Sequence, residues 1–160
     1  MKIIDNYLSE IDSDRITQYL TENSDQFPVY FRRDVSTPGS DDGTYFIHTF
    51  FNHEYGESQF LPIVIPLLNK LNAKTLLRVQ YNLYPRTFFR HKHGWHTDFN
   101  IENKGLIYYL NTNNGRTDIR NVGRVKSVKN RALFFNPQDE HRSTTCTNKH
   151  FRANIIINYL

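Results

Sequence analysis

The sequence predicts a mainly β protein with helices in its N-terminal half, that is, a β-sandwich or barrel supported by helices. Apolar residues recur at helical spacing before residue 72, whereas short runs rich in β-branched and aromatic residues dominate after residue 75. Turn signals separate these later runs from one another. A small barrel of this kind has a mouth that can hold one ligand.

Two helices are predicted in the N-terminal half. The first covers residues 13–20, with Asp12 or Ser13 as its N-cap. The second covers residues 59–71, where Leu61, Ile65, Leu68 and Leu71 would form one stripe and Pro66 would introduce a kink. Between the helices, residues 36–43 carry the turn chemistry of a loop.

Five strands are predicted in the C-terminal half. They cover residues 75–84, 105–111, 123–128, 132–135 and 151–159. The sequence Gly115-Arg116-Thr117 between them is interpreted as a turn. Many short strands after a helical segment are typical of a barrel or sandwich with helices on one side.

Composition excludes several classes of protein. The chain has 160 residues, the size of one ordinary domain, and its single cysteine, Cys146, rules out an internal disulfide. No apolar run is long enough to span a bilayer, and no secretory signal is recognisable. We therefore expect a soluble intracellular protein of the cytoplasm with no membrane partner.

The charge balance is mildly basic, with a formal net charge of +4. An anionic substrate or a nucleic acid would suit such a balance, although an ordinary surface with extra cations explains it equally well. The one visible basic cluster is residues 86–93, directly before the tripeptide described next. We expect this cluster to lie at the rim of any pocket.

The sharpest motif is His96-Thr97-Asp98. Residues i and i+2 of an extended segment point to the same side, so the imidazole and the carboxylate converge. The tripeptide alone is weak evidence for a metal site, because a surface histidine beside a turn aspartate has the same pattern. His141, just after the predicted strand 132–135, could supply a third metal ligand. Two imidazoles and one carboxylate leave positions open on iron(II) for a bidentate cosubstrate and O₂.

A polar face on the last predicted strand points to an anionic ligand. Alternation places Arg152, Asn154, Ile156 and Asn158 on one side of an otherwise apolar strand. Unpaired buried polar groups cost about 1–3 kcal/mol each, so these side chains require partners. A dicarboxylate gripped by the guanidinium would satisfy them, whereas the alternative is an exposed face on an edge strand.

A matching polar face precedes the metal motif. Gln80, Asn82 and Tyr84 alternate with apolar residues on the predicted strand 75–84. Two polar-faced strands, the metal tripeptide between them and the distal His141 are consistent with a single pocket.

In their order, these elements resemble the catalytic core of the 2-oxoglutarate and iron(II)-dependent dioxygenase superfamily. The resemblance covers residues 75–160, which would form the barrel core of one domain spanning 1–160, with 1–74 supplying helical support and outer strands. It implies a double-stranded β-helix, that is, a jelly-roll or cupin-like barrel. It also implies that His96, Asp98 and His141 bind Fe(II), and that Arg152 binds the far carboxylate of 2-oxoglutarate, with ascorbate as reductant.

Two subfamilies compete within this resemblance. The brevity of the chain and the spacing from His141 to Arg152 are similar to prolyl-hydroxylase-like members. Asn82-Leu-Tyr84 and Arg152-Ala-Asn154 resemble elements of AlkB-type nucleic-acid demethylases, which implies that Asn82, Tyr84 and Asn154 hydrogen-bond the cosubstrate. Those demethylases carry a second arginine where this chain has Asn158.

The resemblance implies hydroxylation of a C–H bond with release of succinate and CO₂. A protein side chain or a small molecule is the favoured substrate, and nucleic acid stays open as the alternative. A cupin-type metal site that includes His91 and His93 is a further alternative, as is a barrel that binds a ligand without catalysis.

Overall fold

The N-terminal helix is longer than its sequence pattern indicates. The computed structural model describes residues 1–22, 25–40 and 42–160. Helix α1 spans Glu10–Thr21, whereas we predicted 13–20 with Asp12 or Ser13 as the N-cap. Ser9 is the N-cap, because its hydroxyl accepts a hydrogen bond from the Asp12 backbone N–H at 3.1 Å.

The second predicted helix is divided near Pro66. A 3₁₀ helix spans Leu61–Val64 and helix α2 spans Ile65–Leu71, so proline lies in the first turn of α2, where its missing N–H breaks no helical bond. Asn72, with φ 52°, ends this helix in the left-handed conformation. No helix among the described residues is long and apolar enough to cross a membrane.

Eleven strands are present in the described part of the chain, and all five predicted strands are among them with small shifts in their ends. The strands are β1 Lys2–Ile4, β2 Tyr30–Arg32, β3 Tyr45–Asn52, β4 Gly56–Glu57, β5 Leu76–Pro85, β6 Lys104–Tyr109, β7 Arg116–Ile119, β8 Gly123–Lys126, β9 Arg131–Phe135, β10 His141–Ser143 and β11 Phe151–Tyr159. The interpretation of Gly115-Arg116-Thr117 as a turn is wrong, since β7 begins at Arg116 and pairs with both β8 and β10.

The strands form two antiparallel sheets. The large sheet has the order β1-β9-β6-β11-β5-β3-β2, with β4 paired to β3, and the small sheet has the order β10-β7-β8. Strand β11 is central and β1, β2 and β3 lie towards the edges, so the N-terminal segment supplies outer strands. This mainly β, jelly-roll architecture with helices on one side confirms the predicted fold class.

The two faces of the large sheet have different roles. One face packs against the helices through a core that includes Ile16, Leu20, Val79, Tyr81 and Ile155. A second apolar cluster lies between the large and small sheets and contains Ile107, Tyr109, Ile119, Val125, Leu133, Phe135 and Ile156. Because residues alternate along a strand, Arg152 and Asn154 share the face of Ile156 and point towards the small sheet.

Candidate active site

The two predicted histidine ligands lie side by side between the sheets. The backbone of His96 pairs with that of His141, with N to O distances of 3.0 and 2.9 Å, and the ring centroids are 4.5 Å apart. Asp98 Oδ1 lies 3.7 Å from His141 Nε2. One ligand atom from each of His96, Asp98 and His141 lies within 4.8 Å of the others. The structure thus brings the three residues together as a possible metal site.

Both imidazoles are oriented by backbone carbonyl groups. His96 Nδ1 lies 3.3 Å from the Gly94 carbonyl, and His141 Nδ1 lies 2.9 Å from the Asp139 carbonyl. A proton on Nδ1 that donates to a carbonyl leaves Nε2 with a free lone pair for a metal. Burial and the neighbouring His141 lower the pKa of His96, which favours the neutral ring that a metal requires.

Asp98 is held as a carboxylate by two side chains. The Arg78 guanidinium lies 3.0 Å from Oδ1, and Asn158 Nδ2 donates to Oδ2 at 3.0 Å. Burial alone would raise the pKa of Asp98, but the Arg78 guanidinium and the hydrogen bond from Asn158 hold it well below its usual range. Two neutral imidazoles and one carboxylate fit the donor set of a non-haem iron(II) site.

A cavity of about 520 Å³ adjoins these donors. The predicted polar faces of β5 and β11 meet there, because the strands pair with Asn82 opposite Asn154 and Tyr84 opposite Arg152. Asn82 Nδ2 donates to Asn154 Oδ1 at 3.2 Å, and Gln80 donates to Asn82 Oδ1 at 2.6 Å. All five side chains line the cavity together with the three candidate ligands.

Arg152 is completely buried in the centre of the large sheet, which excludes the exposed edge-strand alternative. Ser127 Oγ, the Thr144 carbonyl and Thr117 Oγ1 accept hydrogen bonds from its Nε, Nη1 and Nη2 at 2.8, 3.4 and 2.9 Å. In these bonds each terminal nitrogen uses one of its two N–H groups. No carboxylate of the described residues pairs with this guanidinium, so a buried positive charge faces the cavity without an anion.

Several site residues were not identified from the sequence. Arg78 could have been, since it lies on the same alternating face as Gln80 and Asn82. The other groups around Arg152 come from segments whose proximity no local pattern reveals; they are the Tyr109 ring, the hydroxyls of Thr117 and Ser127, and the Thr144 carbonyl.

The expectation that residues 86–93 form the rim is wrong, because none of them lines the cavity. Phe88 and Phe89 are instead 89% and 79% exposed to solvent outside it.

His93 is 2% exposed, and its Nδ1 lies 2.7 Å from Ser143 Oγ. Burial and the nearby Arg152 charge lower the pKa of His93 to about 3. Neither His91 nor His93 belongs to the three-donor cluster, which disfavours the cupin-type site.

Asp42 ties one wall of the cavity to the metal segment. Its carboxylate accepts hydrogen bonds from the Val35 N–H at 2.9 Å and from the Gly94 N–H at 2.6 Å. Burial would raise the pKa of Asp42, but the hydrogen bonds from Ser40 and Gly94 hold it below its usual range. Val35 lines the cavity, and Gly94 lies two residues before His96, so one side chain positions both.

No protein-family model and no curated protein matches the sequence. Solved structures do. A prolyl hydroxylase from Trichoplax adhaerens, in complex with a hypoxia-inducible-factor peptide, has a TM-score of 0.63 at 15% identity, covering 99% of this chain and 82% of the other. A Pseudomonas putida prolyl-4-hydroxylase has a TM-score of 0.66 at 11% identity, covering 99% and 91%. The α-ketoglutarate-dependent epimerase SnoN of nogalamycin biosynthesis has a TM-score of 0.65 at 12% identity, covering 99% and 76%.

At such identities these likenesses concern the fold, and they agree with the two-sheet architecture and with the resemblance found in the sequence. The chain has the double-stranded β-helix fold of the 2-oxoglutarate and iron(II)-dependent oxygenases.

Proposed function

We propose that this protein is a 2-oxoglutarate- and O₂-dependent iron(II) oxygenase that hydroxylates a C–H bond of a protein side chain or small molecule. The products beside the hydroxylated substrate are succinate and CO₂, and ascorbate is the expected reductant. In this proposal residues 1–160 act as one domain.

The observation that carries the proposal is the buried guanidinium of Arg152. A fully buried charge without a counter-ion is unfavourable, whereas a carboxylate bound by both terminal nitrogens would neutralise it with charge-assisted hydrogen bonds. The cavity beside it also contains the three metal donors, so one small diacid could contact both. This is the arrangement that a metal-chelating 2-oxoglutarate requires.

Each residue of the cavity would have a definite role around such a ligand. His96 Nε2, Asp98 and His141 Nε2 would hold the iron, and Arg78 and Asn158 would keep the carboxylate of Asp98 in place. Asn82, Tyr84 and Asn154 would provide polar contacts along the cosubstrate. When bound, iron and 2-oxoglutarate together supply the O₂-activating chemistry that hydroxylation needs.

The structural comparisons support the hydroxylase reading, since two of the similar structures are prolyl hydroxylases and one of these holds a peptide. The AlkB-type alternative has less support, because Asn158 bonds Asp98 in the position where those proteins carry a second arginine.

Turnover is the direct test. Fe(II)-loaded protein should convert 2-oxoglutarate to succinate in the presence of ascorbate and a peptide or metabolite pool. His141→Ala should abolish this conversion, and Arg15→Gln, on the exposed side of α1, should not affect it. Iron-independent succinate formation, or none above that of His141→Ala in any pool, would contradict the proposal.

A further inference from the structure

A row of four side chains crosses the large sheet from its centre to one edge. Arg152 on β11 pairs with Tyr84 on β5, and the guanidinium carbon lies 5.1 Å from the Tyr84 ring centroid. The ring of Tyr45 on β3 stacks on that of Tyr84, with centroids 5.5 Å apart and planes 10° apart. Tyr45 in turn pairs with Arg32 on β2. All four residues line the cavity, so the row begins and ends with a cation.

The outer end of the row carries two cations. Arg32 and the adjacent Arg33 are exposed and line the cavity mouth. No carboxylate of the described residues forms an ion pair with either guanidinium, whereas Arg78, another arginine of the cavity, is paired with Asp98. Asp34 also lines the mouth, where its Oδ2 accepts a hydrogen bond from the Gly39 N–H at 2.9 Å. Among the described residues at the mouth, these two guanidinium groups outnumber the one carboxylate, so their summed charge is positive.

The outer cations lie at the opposite end of the row from Arg152. The backbones of β11 and β2 are three strand spacings apart, about 14 Å across the sheet. A five-carbon diacid bound by Arg152 at its far carboxylate and by the metal donors at its other end has both carboxylates occupied. An anion at Arg32 and Arg33 would therefore belong to a second molecule.

We propose that Arg32 and Arg33 form a subsite for a carboxylate or phosphate group of the substrate that is hydroxylated. The substrate would then be an acidic small molecule or peptide that enters at the β2 edge with its anionic group outermost. Guanidinium groups bind both oxyanions through paired N–H donors, and no ion pair within the described part of the chain would be broken. The assignment of this anion to a substrate rests on the proposed function, whereas the anion subsite itself does not.

The test uses acetate and sulfate as probes for the two oxyanions. The protein is first given zinc, which does not turn over, and one equivalent of 2-oxoglutarate. Each probe is then titrated at constant ionic strength against chloride, and NMR resonances of Arg32, Arg33 and Tyr45 are followed. We expect saturable shifts, at least tenfold weaker binding in the Arg32→Gln/Arg33→Gln double variant, and unchanged binding in Arg15→Gln. The probe that binds more tightly indicates which oxyanion the subsite prefers.

Shifts that do not saturate, or that are the same in the double variant, would overturn the subsite. Both arginines are exposed, so the double variant should fold. Arg32→Lys provides a second comparison, because it keeps the positive charge but cannot donate two parallel hydrogen bonds to one oxyanion. The affinity for 2-oxoglutarate, measured in the same samples, should change less than twofold in the double variant. Failure of the wild type to bind 2-oxoglutarate would instead refute the proposed function and leave the sulfate and acetate result standing.

Discussion

Replacing Arg152 by alanine should weaken 2-oxoglutarate binding without removing the metal site. The guanidinium is completely buried, and three of its N–H groups are held by Ser127, Thr144 and Thr117. Truncating one partner of a buried charged pair costs about 2–5 kcal/mol, which corresponds to a loss of roughly 30-fold to a few thousand-fold in affinity. Metal affinity should remain near the wild-type value, because Arg152 contacts none of the three candidate ligands.

The assay is anaerobic calorimetric titration of 2-oxoglutarate into metal-loaded protein. Arg152→Lys should recover only part of the loss, because an ammonium cannot donate two parallel hydrogen bonds to one carboxylate. The thermal unfolding temperature of each variant shows whether the protein still folds without the Arg152 guanidinium. A folded Arg152→Ala variant with wild-type affinity would refute the assignment of Arg152 as the anchor.

Three further perturbations follow from the same contacts. Asn158→Ala should lower metal affinity about 10- to 100-fold, because Asn158 orients Asp98; equilibrium dialysis measures this, and unchanged affinity would count against that role. Asp42→Ala should lower the free energy of unfolding by about 2 kcal/mol in denaturant titrations at pH 7. The difference from wild type should shrink in acid, because a carboxylate whose pKa is lowered in the folded state loses its stabilising effect as the pH falls through that pKa. Burial lowers the pKa of His93 in the folded state from 6.5 to about 3, so the free energy of unfolding should fall as the pH drops below 6.5, by at most about 1.4 kcal/mol per pH unit. His93→Gln should remove this pH dependence, as measured by denaturant titrations at several pH values. Equal pH dependence in the variant and the wild type would contradict a buried neutral ring.

The strands that were predicted share a clear local signal. Alternating polar and apolar residues mark β5, and a run of β-branched residues marks β11. The edge strand β2 was missed because all three of its residues are exposed, and β10 because three residues are too few to show a period. Strand β3 was missed although it is long; its pairing with β5 is interrupted by an irregularity between Thr49 and Phe51.

The residues of the candidate site also differ in whether the sequence reveals them. The pair His96 and Asp98 and the polar faces of β5 and β11 are visible as motifs, because each depends on residues two positions apart. The third donor, His141, was identified by its place after the predicted strand 132–135. Asp42 is not, since its contact with Gly94 joins a loop to a segment 52 residues away. The neighbours of Arg152 are likewise set by strand pairing across the sheets, for which a single sequence carries no local pattern.

The proposed function requires that one cavity bind both iron and 2-oxoglutarate for O₂ chemistry. The decisive experiment is simultaneous measurement of O₂ uptake and succinate formation by Fe(II)-loaded protein, with Asp98→Ala and Arg152→Ala as matched variants. We predict equimolar O₂ consumption and succinate production in the wild type, dependent on iron and abolished by Asp98→Ala. If wild-type protein retains iron yet neither consumes O₂ with 2-oxoglutarate nor forms succinate above the Asp98→Ala level, the protein is not a 2-oxoglutarate-dependent oxygenase.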